Sequence, residues 1–149
     1  MFKVRTNQKT KKVLVAVGKL DEKGREGMRQ GFIDLGSALV RKTENNILSE
    51  PKYGREYNIK IDGVVRLHRA SAPKQTPALL TGEYFEGLTS IPRGWQGLTF
   101  GNTAEHSEYL EEGTRKMEKR PGMFNAIQAN IRDNRFYMET NLDREFQKI

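Results

Sequence analysis

The sequence predicts an α+β domain, with a mainly antiparallel β-sheet packed against one long N-terminal helix and with a short helix and a C-terminal helix to follow. Three observations carry that expectation. Glycines and apolar residues recur at helical spacing between Leu20 and Leu48. Two later stretches, on either side of a proline-rich loop, are apolar runs folded about tight turns. The segment after Pro121 returns to helical spacing through Met123, Ile127 and Ile131. At 149 residues the chain is one domain, divided into a basic flexible arm (1–12), an α+β core (13–133) and a tail (134–149) expected to be helical and to dock on its own domain or a neighbour.

Taken in order, residues 1–12 carry Lys3, Arg5, Lys9, Lys11 and Lys12 with no acid, hence the reading as an arm. Val13–Val17 is wholly apolar and rich in β-branched side chains, and it is expected to form a strand covered on both faces. Leu20–Leu48 is the long helix, with Asp21 as its expected N-cap. Gly24, Gly27 and Gly31 fall on one helical face with Met28, Leu35, Ala38 and Leu39. Each glycine costs about 1 kcal/mol relative to alanine in a helix, so their place on the apolar face implies a backbone packed close against them. Ile33, Val40 and Ile47 form a second, narrower line on the far side. A single domain needs one buried helix face. The second line is therefore a candidate subunit interface, or else the helix is sandwiched within its own domain.

Tyr57, Ile59 and Ile61 alternate with polar residues, Asp62–Gly63 is a two-residue hairpin turn, and Val64–Arg69 is the return strand. Pro73 and Pro77 punctuate a loop over 70–78, and Thr81 caps a helical turn at 83–85. Leu88–Ile91 and Trp95–Phe100 form a second hairpin around Pro92–Gly94, with Trp95 and Phe100 as core or interface anchors. Glu105–Glu112 is a short helix stopped by Gly113, and Pro121 opens a helix over 122–132. In the tail, Leu142, Phe146 and Ile149 recur at helical spacing.

Net charge is +7, which favours an anionic partner or environment, although surface charge kept only for solubility gives the same sum. The excess lies in the arm, in Arg115–Arg120, and in the first hairpin, where Lys52–Lys74 holds six basic and two acidic residues. With no cysteine there is no thiolate metal site, disulfide or cysteine nucleophile. The two histidines, His68 and His106, lie in different elements, and Glu105 and Glu108 flank His106 at spacings that do not converge on one helix face. No phosphate-binding glycine loop and no serine-hydrolase elbow is present. No metal, cofactor or catalytic activity is expected. No run approaches the ~18 apolar residues of a membrane span, and residues 1–10 lack the apolar core of a signal peptide, so no membrane association is expected.

Two stretches carry a resemblance. Glu108–Phe124 reads E-Y-L-E-E-G-T-R-K-M-E-K-R-P-G-M-F, and His68–Gly82 reads H-R-A-S-A-P-K-Q-T-P-A-L-L-T-G. Together, and in this order between two helices, they resemble a neck or tail-completion family of long-tailed bacteriophages. That family's patterns run L-E-F-G-T to R-P-F in the first stretch and R-A-S-A-P-G-E-x-P-A-x-x-T-G in the second. Here Glu112 replaces the residue before Gly-Thr, Gly122–Met123 displaces the phenylalanine, and Lys74–Gln75 replaces Gly-Glu. The resemblance implies a structural virion protein, assembled in the host cytoplasm, that forms a ring around the DNA channel where head meets tail. By resemblance the ring is a hexamer, touching a head-completion or connector protein on one side and a tail terminator or tail-tube protein on the other. Expected interface residues are Ile33, Val40, Ile47, Tyr109, Glu111, Thr114, Arg115, Lys116, Lys119 and Arg120. Lys3, Arg5, Lys9, Lys52, Arg55, Arg66, Arg69 and Lys74 are expected to face the DNA channel or a neighbouring ring. The competing readings are a tail terminator, which caps the tube, and a small basic nucleic-acid-binding protein. A hydrolase would depend on His68 or His106.

Overall fold

The computed structural model describes residues 8–129 and 131–148. Its elements are α1 (Gln8–Ser49), β1 (Glu56–Ile61), β2 (Val64–Arg69), α2 (Glu83–Glu86), β3 (Leu88–Pro92), β4 (Leu98–Asn102), α3 (Ser107–Glu112), α4 (Gly122–Ala129) and α5 (Ile131–Phe146). The class is α+β, with antiparallel strands and a long N-terminal helix. The strands form two separate two-stranded hairpins.

The strand expected at Val13–Val17 is instead helix, continuous with the rest of α1. A short apolar run fits a buried strand and a helical segment equally well, and periodicity alone does not separate them. The same extension moves Asp21 from the expected cap to the helix interior, where its carboxylate lies 3.0 Å from Arg25. The arm expected over 1–12 is helical from Gln8 onward; Lys3, Arg5 and the side chain of Lys9 lie outside the described residues.

α1 is gripped from two sides. On one, α5 runs antiparallel against the glycine face. A Cβ built on Gly24 would lie 3.7 Å from the Phe146 ring, one on Gly27 3.0 Å from Leu142 Cα, and one on Gly31 2.7 Å from Met138 Sδ. On the other side the β3–β4 hairpin rests on Gly36, whose Cβ would lie 2.8 Å from Ser90 Oγ and 3.0 Å from Leu98 Cδ1. At 100° per residue, Ile33, Val40 and Ile47 lie within about 60° of Gly36. The second apolar line therefore lies on the side of the helix that carries β3–β4, with Ile47 buried and Ile33 and Val40 half-buried. Polar groups fix the α1–α5 register. Asn141, buried, donates from Nδ2 to Asp34 Oδ2 at 2.9 Å, and Lys23 reaches Glu145 at 3.5 Å.

The β1–β2 hairpin pairs from Glu56↔Arg69 to Ile61↔Val64. Its turn residues Asp62 (φ 49°) and Gly63 (φ 82°) are both left-handed, as a two-residue turn matched to strand twist requires. Its register puts Tyr57, Ile59, Ile61, Val64, Arg66 and His68 on one face and Glu56, Asn58, Lys60, Val65, Leu67 and Arg69 on the other. The second of these faces is exposed along its whole length. In β3–β4, Leu88↔Asn102 to Pro92↔Leu98 are paired, and the tip Trp95 lies under the Arg25 guanidinium at 5.0 Å.

Candidate functional site

The two stretches that carry the family resemblance fold against each other. Lys74 N–H donates to Lys119 C=O at 2.8 Å, Arg120 Nε donates to Ser71 C=O at 2.9 Å, and Asn125 Nδ2 donates to Lys74 C=O at 3.2 Å. The loop after α3 is closed on itself by the Thr114–Met117 bridge, and Thr114 Oγ1 accepts from the N–H groups of Lys116 and Met117. Arg120 N–H then donates to Leu110 C=O at 2.6 Å, so the loop leaves α3 and returns to it. Gly113, at φ 83°, makes the exit possible: a Cβ there would meet Lys119 N and Met117 O at 2.9 Å each. Arg115, Lys116 and Lys119 are thereby presented on a braced, exposed loop.

Glu111 anchors this unit from inside. Its Oε1 accepts from Gly122 N–H at 2.8 Å and Met123 N–H at 2.9 Å, and its Oε2 from Phe124 N–H at 3.3 Å. These are N–H groups of the first turn of α4, which has no intrahelical partners to offer them, and a carboxylate also suits the positive end of the helix. The Tyr84 hydroxyl donates to the same Oε1 at 2.5 Å. Burial, reinforced by the bond to Glu111 and the charge of that carboxylate, pushes the Tyr84 hydroxyl well above the usual tyrosine range. Tyr84 in turn packs on Gly122, whose Cβ would fall 2.5 Å from the Tyr84 oxygen.

Two residues of the proline loop depart from the family pattern, and both have a clear local role. Lys74 stands at φ 68°, in the left-handed region that favours glycine. Gln75 Oε1 accepts from Tyr53 N–H at 3.0 Å and Ala72 N–H at 2.8 Å, while its Nε2 donates to Pro51 C=O at 2.9 Å. The side chain ties the start of the first hairpin to the loop that follows it.

Ile47 is 4% exposed, whereas Ile33 and Val40 are half-buried. Tyr109 is 57% exposed and lines a groove of about 660 Å³ with Glu83, Glu86, Glu105 and His106. Lys52 is tied to Asn46 C=O and Glu50, and Arg69 to Glu56 across the strands. Arg55, Arg66 and Lys74 are exposed. His68 and His106, which the sequence separates, line one cavity of about 550 Å³ walled by Ile47, Pro77, Leu79, Tyr84 and Leu110. His106 Nδ1 lies 3.5 Å from Glu83, and the His68 ring meets Tyr57 edge-on at 5.3 Å. Among the described residues no group of three or more His, Asp or Glu is placed to hold a metal ion. No helix among them is long and apolar enough to cross a membrane.

No protein-family model matches the chain, and no curated protein or solved structure matches it either.

Proposed function

We propose that this chain is a structural subunit of a tailed-phage neck, a tail-completion protein whose copies form a ring joining the DNA-filled head to the tail. The observation that carries the reading is the convergence of the two family-like stretches. They are separated by a hairpin and a helix in sequence, yet Lys74 to Lys119 and Ser71 to Arg120 make them one unit.

The departures from the pattern support the same reading. Lys74 stands in a backbone conformation suited to the glycine of the pattern. Gln75 accepts two backbone N–H groups through one oxygen, as the glutamate of the pattern would, and adds a donation to Pro51 C=O that a carboxylate cannot make. Surface character is consistent with a subunit. Among the described residues fifteen large apolar side chains are exposed while only Leu39, Ile47, Tyr84 and Ala126 form the buried apolar set. A chain of this kind gains by covering surface in an assembly. In this reading the Arg115–Arg120 loop and Tyr109 meet neighbouring components, Ile33 and Val40 keep some surface for a contact, and Arg55, Arg66 and Lys74 face DNA or an adjoining ring.

The decisive experiment is electron microscopy of particles produced without the protein. Filled heads and complete tails left unjoined are expected. Overlong tails would instead assign the terminator role, and normal joined particles would remove the protein from the neck. Salt-sensitive binding of the purified chain to short duplex DNA, with particles unaffected, would favour the nucleic-acid-binding reading.

A further inference from the structure

The β1–β2 hairpin has more apolar surface than an isolated hairpin can sustain. A two-stranded ribbon is marginal in water unless something covers a face. One face is partly covered at its foot, where Tyr57 and His68 line the cavity beside α2, and Ile59 and Ile61 are half-buried. Toward the turn, Val64 is 53% exposed, Val65 63% and Leu67 67%. Lys60 shares the face of Val65 and Leu67, and Arg66 the face of Val64; both are exposed and neither is in an ion pair among the described residues, with Asp62 at the turn as the one acid of the outer half. Arg69, by contrast, is paired with Glu56.

A surface of opposite character lies elsewhere on the same chain. Residues 81–112 hold Glu83, Glu86, Glu105, Glu108, Glu111 and Glu112 against the single cation Arg93, in a protein whose net charge is +7. Glu83, Glu86 and Glu105 line the groove between α2 and α3, which has Tyr109 on its wall and no lysine or arginine. The groove is opposite in sign to Lys60 and offers an aromatic surface for the aliphatic side chains of the hairpin.

We propose that the outer half of the β1–β2 hairpin of one copy seats on the α2–α3 groove of a second copy, with Lys60 beside Glu83, Glu86 and Glu105 and with Val65 and Leu67, on the same face as Lys60, on Tyr109. The contact rests on the ring reading above and specifies which surfaces close the ring. It joins two different patches, so it propagates head to tail. The groove of the same chain is out of reach. It shares Glu83 and His106 with the cavity that Tyr57 and His68 line, and the Lys60–Val65–Leu67 face is the opposite face of the hairpin, turned away from that cavity. Phosphate alone is a poor occupant, because a DNA backbone would leave Val64, Val65 and Leu67 in water.

The chain has no cysteine, so two introduced thiols report without background. Chains carrying Val65→Cys are mixed with chains carrying Glu86→Cys under mild oxidation, after circular dichroism has shown both folded. The mixture is expected to form disulfide dimers at least about tenfold faster than either chain alone, because docking raises the effective concentration of one thiol at the other. Adding Lys60→Glu to the first chain is expected to abolish that excess. Adding Glu83→Lys and Glu105→Lys to the second is expected to restore it for the reversed hairpin. No excess, or an excess indifferent to charge reversal, overturns the proposal. So does protection of the Val65→Cys thiol by short duplex DNA in the absence of any cross-chain excess. Particle imaging reports on the neck role whichever surfaces touch, so unjoined heads and tails together with no cross-linking would sink this contact and leave the neck reading standing.

Discussion

Glu111 is where one side chain decides how three elements meet. It closes the first turn of α4 with bonds to Gly122, Met123 and Phe124 and accepts the Tyr84 hydroxyl as well. Removing it leaves buried or half-buried donors without partners, which costs more than the bonds themselves contribute. Glu111→Ala is therefore expected to lower unfolding stability by about 2–3 kcal/mol in urea titrations, more than an ordinary exposed cap. Tyr84 adds a pH dependence. Its pKa is raised in the folded chain, so its contribution is fully present below the unfolded tyrosine value of about 10 and is lost as pH rises above it. Wild-type stability should fall above about pH 10 more steeply than that of Tyr84→Phe in paired denaturation curves. Lys74 offers a change in the other direction. Relief of its left-handed backbone outweighs the added freedom of the unfolded chain, so Lys74→Gly should raise stability by about 0.5–1 kcal/mol. None of these roles was open to residue-by-residue reading. Glu111 belongs to one element and caps another, and a left-handed φ at a lysine leaves no mark in local sequence.

At the scale of elements, legibility followed the chemistry of each signal. The first hairpin was readable because Asp62–Gly63 specifies a turn that few other residues can make. The stop at Gly113 and the start after Pro121 were readable for the same kind of reason. The N-terminal part of α1 was not, since Val13–Val17 suits either a strand or a helix. The glycine face announced close packing, but not that its partner would be α5. That packing yields a contrast within one helix. At Gly24 a methyl group would make ordinary contact with Phe146, and the gain in helix propensity is about 1 kcal/mol, so Gly24→Ala should stabilise. At Gly27 the methyl would press on Leu142 Cα and Asn141 C=O, which are backbone and cannot rotate away. Gly27→Ala should destabilise by about 1–3 kcal/mol in the same thermal melts. Equal effects at the two positions would contradict the α1–α5 packing described here.

For the whole molecule, the balance of surface separates a firm part from a provisional one. α1, α5 and the unit built on Glu111 share the buried residues. The β1–β2 hairpin stands on them by its foot and holds little of the core. Backbone amides of β1 and β2 should therefore exchange with deuterium at least about a hundredfold faster than those of α1 between Gly27 and Leu39 in the dilute chain. They should slow when copies assemble. The charge segregation between this hairpin and the α2–α3 groove could be counted from the sequence, but the groove itself could not, because α2 and α3 are drawn together across β3 and β4.

The antiparallel pairing of α1 with α5 also sets an order in time. During synthesis the glycine face of α1 leaves the ribosome long before its partner, with more than a hundred residues between Gly31 and Leu142. At roughly 5–20 residues per second that interval is on the order of ten seconds. A helix that sacrifices side chains on one face has little to hold it while it waits, and in that interval it is open to chaperones, proteases and other nascent copies. The glycines that let the finished helices approach so closely thus make the N-terminal half of the chain depend on a late event, the arrival of α5.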